Sequence, residues 1–511
     1  MSFVVANVAS ASLCLICVYI LTWRFRRLRL SLPPGPRPLP FIGNLLDLPR
    51  KHEWKTFTRW GGIYGDVVYL TIFGTSMLVV SSVEPAVDLM DKRSAIYSDR
   101  PRFPLVDLIG QDWNLGFMNY GKPWQKQKQA MMSKFSKTAI TAYRPAQHRA
   151  LRILLKNLLD NPDNFTEHLR LYSGQLIIDV TYGIPISSRD HELIKTAEAV
   201  MHSISVALSP VFSVFNLTHL LQVLPHWLGG GRFSNLVQKW QSDARALHEI
   251  PFDMVKASMD SGTARPSYAS SLLENLKPQD SSDEESVVRD TSAVAYGAGA
   301  DTSLAAVSVF FLVMLQNPRV QKMAQDELDR IIGSSRLPDH GDQPELPYIT
   351  AVMKETLRWH AATPLGIAHM LTTDDEYRGW HLPAGSLIVP NVWGMLRDPK
   401  TYDSPAEFRP ERFLRNGKLD CPVDKDPARI LFGFGRRVCV GRHFVQDAMF
   451  LLIAQVLSVF TISTIDGGSP SKVDMTSGGV SMPMLYKCLI RPRSEIAKRV
   501  LEDDILSADD V

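Results

Sequence analysis

The chain has 511 residues, 45% of them hydrophobic and 21% charged, an ordinary globular composition long enough for one large domain or two smaller ones and not that of a disordered chain. A formal net charge of +3 gives no ground for expecting a nucleic-acid partner. Five scattered cysteines exclude a disulfide framework and fit a reducing compartment.

Phe3 to Trp23 is uncharged and mostly apolar, about the length a membrane-spanning helix needs. Arg24, Arg26, Arg27 and Arg29 follow it, which places the downstream chain in the cytosol and the N-terminus in the lumen. No charged segment precedes the span, so an uncleaved anchor is expected rather than a signal peptide. Ser31 to Pro40, with its repeated prolines, predicts a stiff extended connector.

Trp54 to Tyr64 has a helical pattern, and Val67 to Ile72 and Met77 to Ser81 predict strands around a Phe73-Gly74-Thr75 turn. Glu84 to Lys92 returns to helix. Arg100 to Leu115 reads as loop, with Phe103, Leu105, Val106 and Leu108 forming a pocket wall. Pro123 opens a helix to about Phe135, on which Trp124 and Lys128, four residues apart, share a face. Ala150 to Met201 is mainly helical. The apolar run Met201 to Leu228, broken by Pro210 and Pro225, predicts short helices forming a lid that can dip into lipid. Helices resume from Ser234, and Lys277 to Glu285 reads as a solvated linker.

Val287 to Leu315 is a long helix ended by Asn317-Pro318. In its middle stands Ala298-Gly299-Ala300-Asp301-Thr302. A helix-interior glycine costs about 1 kcal/mol relative to alanine, so Gly297 and Gly299 suggest that space is being made, beside an acid and an alcohol able to pass protons. Pro347 to His360 is a further helix that puts Glu355 and Arg358 on one face. Thr363 to Ile367 is expected as a pocket strand, Ser386 to Val389 as a strand, and Met475 to Met484 as a hairpin whose tip reaches the substrate. Leu501 to Val511 is acidic and expected to fray.

The most informative stretch is Leu431 to Gly441, followed at once by a helix-like run from Arg442 to Leu457. Gly433, Gly435 and Gly441 allow a tight loop whose amides turn toward the sulfur of Cys439, and the helix that begins beside it favours a thiolate. Such a thiolate can be a nucleophile, a zinc ligand or an axial iron ligand. A structural zinc site wants four N/S ligands, and no second cysteine or histidine stands at zinc spacing. A catalytic cysteine needs a base, which the sequence leaves open.

The order Phe-x-x-Gly-x-Arg-x-Cys-x-Gly, from Phe432 to Gly441, resembles the haem-binding loop of the cytochrome P450 superfamily. The resemblance implies a mainly α fold with a smaller β part, the cytochrome P450 fold, preceded by an N-terminal transmembrane helix. It divides the chain into an anchor over 3–23, a basic and proline-rich hinge over 24–40, a catalytic domain over 41–500 and an acidic tail over 501–511. It makes Cys439 the proximal ligand of haem b iron, pairs Arg437 with a haem propionate, packs Phe432 near the sulfur and lets the helix after Gly441 pass close to the porphyrin. By the same likeness Trp124 and Lys128 meet a propionate, where the family usually has Trp-x-x-x-Arg, and His369 reaches the other. The groove at 297–300 holds oxygen, Thr302 bonds to it and Asp301 links to bulk solvent. Phe408 to Phe413 resembles the part of the family that brings Arg412 to Glu355 and Arg358 in a buried cluster.

The implied function is that of a fungal microsomal monooxygenase, inserting one atom of dioxygen into an apolar small molecule in secondary metabolism or xenobiotic oxidation. No dinucleotide fingerprint is present, so the resemblance implies that electrons come from a separate NADPH-cytochrome P450 reductase. The resemblance places the protein on membrane lipid of the endoplasmic reticulum, with its catalytic domain cytosolic. A haem-thiolate isomerase or dehydratase and a non-catalytic haem protein are the alternatives, and the Asp301-Thr302 pair argues against both.

Overall fold

A computed structural model describes residues 31–186, 188, 191–208, 230–276, 282–465, 468 and 473–509. The expected anchor and most of the expected lid lie outside the described residues. The principal helices are α1 (Glu53–Tyr64), α2 (Lys122–Phe135), α3 (Arg144–Asp160), α4 (Phe165–Tyr182), α5 (Glu192–Ala207), α6 (Gly230–Asp260), α7 (Ser282–Gln316), α8 (Pro318–Ile331), α9 (Pro347–Trp359), α10 (Arg442–Val459) and α11 (Glu495–Asp509). The fold is mainly helical with small sheets.

The four-stranded sheet joins β1 (Val67–Ile72), β2 (Thr75–Val80), β3 (His369–Met370) and β4 (Leu387–Pro390) in the spatial order β1-β2-β4-β3. Only the β2–β4 pair is parallel, with Met77 opposite Leu387, and His369 lies opposite Ile388. β1 is buried along its whole length. The proline-rich segment is no free connector: the Tyr69 amide donates to the Pro34 carbonyl at 2.9 Å, and a Cβ on Gly35 would stand 2.0 Å from the Tyr69 carbonyl oxygen.

The main core forms around α4, α7 and α10, whose facing residues include Ile178, Phe310, Phe311, Phe450 and Ile453. α7 is apolar and long enough to cross a membrane, but Phe310 to Met314 are fully buried inside the fold. It begins at Ser282, inside the expected linker, because Asp283, Glu284 and Glu285 in its first turn complement the helix dipole. Gly299 serves helix packing as well as a groove: a Cβ there would meet Ile177 of α4 at 3.1 Å, and the residue also lines the cavity beside the Cys439 loop.

Three expectations are corrected. Residues 363–367 form a turn and extended chain rather than a strand, because Gly366 adopts φ +55°. The loop over 100–115 contains a short helix, Pro104–Leu108, whose Leu105 and Val106 join the core. The acidic end is helical as far as Asp509: Leu501 is fully buried and Asp504 pairs with Arg152 of α3 at 2.8 Å.

Candidate active site

A cavity of about 340 Å³ lies between α7 and the Cys439 loop, within the size range of small-molecule sites. Cys439, Phe432, Arg437 and Gly441 line one side; Ala298 and Thr302 of α7 line another, with Ile177 and Val180 of α4 and with Thr363 and Ile367. Trp124, Lys128, Arg100 and His369 line it as well. The cavity thus gathers all the expected site residues except Asp301.

The loop is built by backbone contacts. The Cys439 amide donates to the Phe432 carbonyl at 2.8 Å, closing the turn. Gly433 and Gly435 have φ of +78° and +56°, which favour glycine, and at Gly435 a Cβ would also lie 2.0 Å from the Met90 carbonyl oxygen. Gly441 has an ordinary φ of −76°, and a Cβ on it would meet only the Cys439 sulfur, at 3.9 Å. The sulfur opens into the cavity while lying deep within the protein, and this burial pushes the thiol pKa up. The Gly441 and Arg442 amides and the Arg442 and Lys128 charges act the other way but do not prevail. The helix start alone therefore does not make a thiolate here. A cation on the sulfur is what would invert the balance.

Around the loop stand basic groups with few counter-charges. Arg437 donates to the carbonyls of Ser98, Leu115 and Met118, and lies 4.4 Å over the Trp124 ring. Burial lowers its pKa to about 10. Lys128 donates to the Arg436 carbonyl and sits 5.1 Å over the same ring. Burial first, then Arg437 and Arg442, bring it down to about 8. His369 is placed by the β3–β4 pairing, with its Nδ1 donating to the Tyr97 carbonyl at 2.7 Å. Burial and the Arg100 charge push its pKa well below the usual value.

Arg100 escaped the sequence reading. It is buried, donates to the carbonyls of Gly116, Ile367 and Ala368, and has no salt bridge among the described residues. Its pKa is driven down by burial and by Arg437. The bridge between Asp99 and Met370 brings it beside His369, a long-range pairing that no local pattern announces.

Thr302 faces the cavity with its hydroxyl donating to the Ala298 carbonyl at 2.8 Å. Asp301 points the other way, into a side cavity of about 20 Å³ shared with Arg170, Glu198 and Tyr296, room for about one water. Burial first and then Glu198, opposed by Arg170, raise its pKa to about 6. The two residues are neighbours on α7 yet serve opposite sides of it.

Behind the loop, Glu355 and Arg358 are fully buried and paired through two bonds of 2.7 and 2.9 Å. Arg412 adds a bond of 3.0 Å to Glu355, and the Arg409 amide another of 2.8 Å. Arg358 also donates to the carbonyls of Leu396, Pro405 and Glu407, so the cluster fastens the chain leading to the loop. Lys354 adds an unforeseen tie to Asp426, which in turn accepts from the Ala428 amide just before the loop. The expected hairpin tip does not line the cavity: Ser481 is buried, with its amide bonded to the Ala362 carbonyl and its hydroxyl to His360.

Comparison with known proteins agrees with this geometry. Residues 33–490 match the family model described as cytochrome P450. The chain is 36% identical over 477 residues to cytochrome P450 monooxygenase COX1 of Coprinopsis cinerea, an alignment covering 91% of this chain and 92% of that one. It is 37% identical over 505 residues to cytochrome P450 monooxygenase claR of Ampulloclitocybe clavipes, covering 97% and 93%. A solved zebra fish cytochrome P450 with abiraterone shares the fold at a TM-score of 0.68 and 22% identity, covering 86% of this chain and all of that one.

Proposed function

Because the chain belongs to the cytochrome P450 family and is a monooxygenase of it, we propose that it inserts one oxygen atom into an apolar small molecule of fungal secondary metabolism. The observation that carries this reading is the placement of Cys439 and Thr302 on facing parts of one largely apolar cavity, ringed by basic groups. The family implies a haem-thiolate centre, and the residues fit haem b. Cys439 offers the single sulfur ligand, and Arg100, Arg437 and Lys128 offer buried basic groups for two propionates, with Trp124 and His369 among them. When bound, thiolate-ligated haem supplies oxygen activation, the thiolate pushing electron density that favours O–O cleavage.

The chain's own residues bind, orient and move protons. Ile177, Val180, Ala298, Thr363 and Ile367 give the substrate an apolar wall that keeps water out. The Thr302 hydroxyl stands on the cavity side of α7, its hydrogen held by the Ala298 carbonyl until it turns toward a bound acceptor. Asp301, with its carboxyl pKa raised to about 6, is the solvent-side acid of the proposed delivery and faces the Arg170–Glu198 cavity. Electrons arrive from an NADPH-cytochrome P450 reductase, and the site of action is the endoplasmic reticulum membrane, with residues 3–23 as anchor.

The test is to reconstitute the full chain with reductase and NADPH and offer it a panel of apolar compounds preselected by substrate-induced spin shift. The reading expects NADPH and oxygen to be consumed together and a product that has gained one oxygen atom. Rearranged or dehydrated product without oxygen uptake would establish the isomerase or dehydratase reading, and spin shifts without turnover the carrier reading.

A further inference from the structure

Away from the cavity, His148 of α3 meets Asp339 and His340, the residues that open a short 3-10 turn over 340–345. The His148 Nε2 lies 3.0 Å from the Asp339 Oδ1, and the His340 Nδ1 lies 3.3 Å from the same oxygen. Ligand atoms at 2.0–2.1 Å from a tetrahedral zinc stand about 3.3 Å apart, so two edges of the triangle already have ligand spacing. The third is within 4.8 Å.

Two further observations point to a cation. On its other edge His340 faces two acceptors, the Gln147 Oε1 at 2.7 Å and the Asp447 Oδ2 at 3.2 Å. With that edge given to the two acceptors, the Nδ1 is the ring atom turned toward the Asp339 carboxylate. Metal-ligating histidines are held in this way, the far N–H given to a carboxylate that orients the ring. The charges around the site are otherwise matched: Asp447 with Arg144, Asp342 with Arg336, Arg152 with Asp504. Among the described residues Asp339 has only the two histidines as ion-pair partners, and its Oδ1 also accepts from the His340 amide at 2.6 Å.

We propose that His148, Asp339 and His340 form a zinc site with an open fourth position for water. His340 is buried while Asp339 is exposed, so the ion enters from solvent on the Asp339 side. It would staple α3 to the 340–345 turn. Through the His340–Asp447 contact it also reaches α10, the helix that starts just after Cys439. A metal-free cluster held by a protonated histidine is the competing account.

The experiment uses the haem-loaded full chain without a histidine tag, equilibrated with zinc at pH 7.5, dialysed, and assayed for zinc and iron by mass spectrometry and for affinity by chelator competition. The expected result is one zinc per haem iron, with a higher thermal midpoint in zinc than in chelator. His148→Ala, at a partly exposed position, should keep haem content and lose zinc affinity at least tenfold. Asp339→Asn should lose it too, and because that residue also caps the turn, its thermal midpoint is compared with zinc absent. No retained zinc in the parent, or equal zinc retention in parent and His148→Ala, overturns the site.

Discussion

Asp301→Asn separates what this carboxyl does for function from what it costs the fold. Burial and Glu198 raise its pKa from an ordinary 3.8 to about 6. At about 1.4 kcal/mol per pH unit, ionising it in the folded chain costs about 3 kcal/mol more than in the unfolded chain. The sign follows from linkage: a carboxyl raised in the folded state carries no penalty when both states are protonated, below about pH 4, and the full penalty above about pH 6. Stability from this group therefore falls as pH rises through that window. Asparagine does not ionise, so the variant should be more stable than the parent by up to about 3 kcal/mol at pH 8 and by about half that at pH 5. The assay is the thermal midpoint for loss of the reduced carbon monoxide band in the full haem-loaded chain at pH 5, 6.5 and 8, beside product formed per NADPH. A more stable variant with poorer coupling fits a residue kept for proton traffic at the expense of stability. A stability gap that does not grow with pH, or a variant less stable at pH 8, would refute the reasoning.

Thr302→Ala should leave haem content and substrate spin shift intact while hydrogen peroxide rises and product per NADPH falls, positioned proton transfer being worth roughly 10²- to 10⁴-fold before water substitutes for the hydroxyl; lost haem with unchanged coupling would mean a structural role. Glu355→Ala leaves Arg358 and Arg412 buried without their shared carboxylate, which costs about 3–5 kcal/mol; equilibrium urea unfolding and haem content should both report it, and a change under 1 kcal/mol would contradict the pairing. Lys128→Arg should slow haem transfer to apomyoglobin if the side chain meets a propionate, because a planar fork replaces a point charge. An unchanged rate for arginine with a faster one for Lys128→Ala would assign the lysine to its Arg436 carbonyl contact instead.

Cys439, Arg437 and Phe432 were legible because the loop that holds them is contiguous, and its Phe432–Cys439 backbone bond is local. Glu355 and Arg358 were legible because helical spacing alone puts them side by side. Arg100 was not, since its meaning depends on meeting Arg437 and His369 from distant segments. Nor could sequence show that Asp301 faces Arg170 and Glu198 rather than the main cavity, because that depends on how α4 and α5 pack on α7. The glycines were legible only in part: Gly299 lines the cavity as expected but also makes room for Ile177, and the positive φ values that demand glycine fall at Gly433 and Gly435. The acidic end misled because its charges were read without Leu501 and the partner for Asp504 on α3.

The central claim, that Cys439 is the sulfur ligand of a haem-thiolate centre, is tested most directly by the reduced carbon monoxide difference spectrum of Cys439→Ser beside the parent. The parent should give the red-shifted Soret band typical of the family, and the variant should lose it while keeping much of the fold by circular dichroism. A red-shifted band that persists in the serine variant would contradict the account.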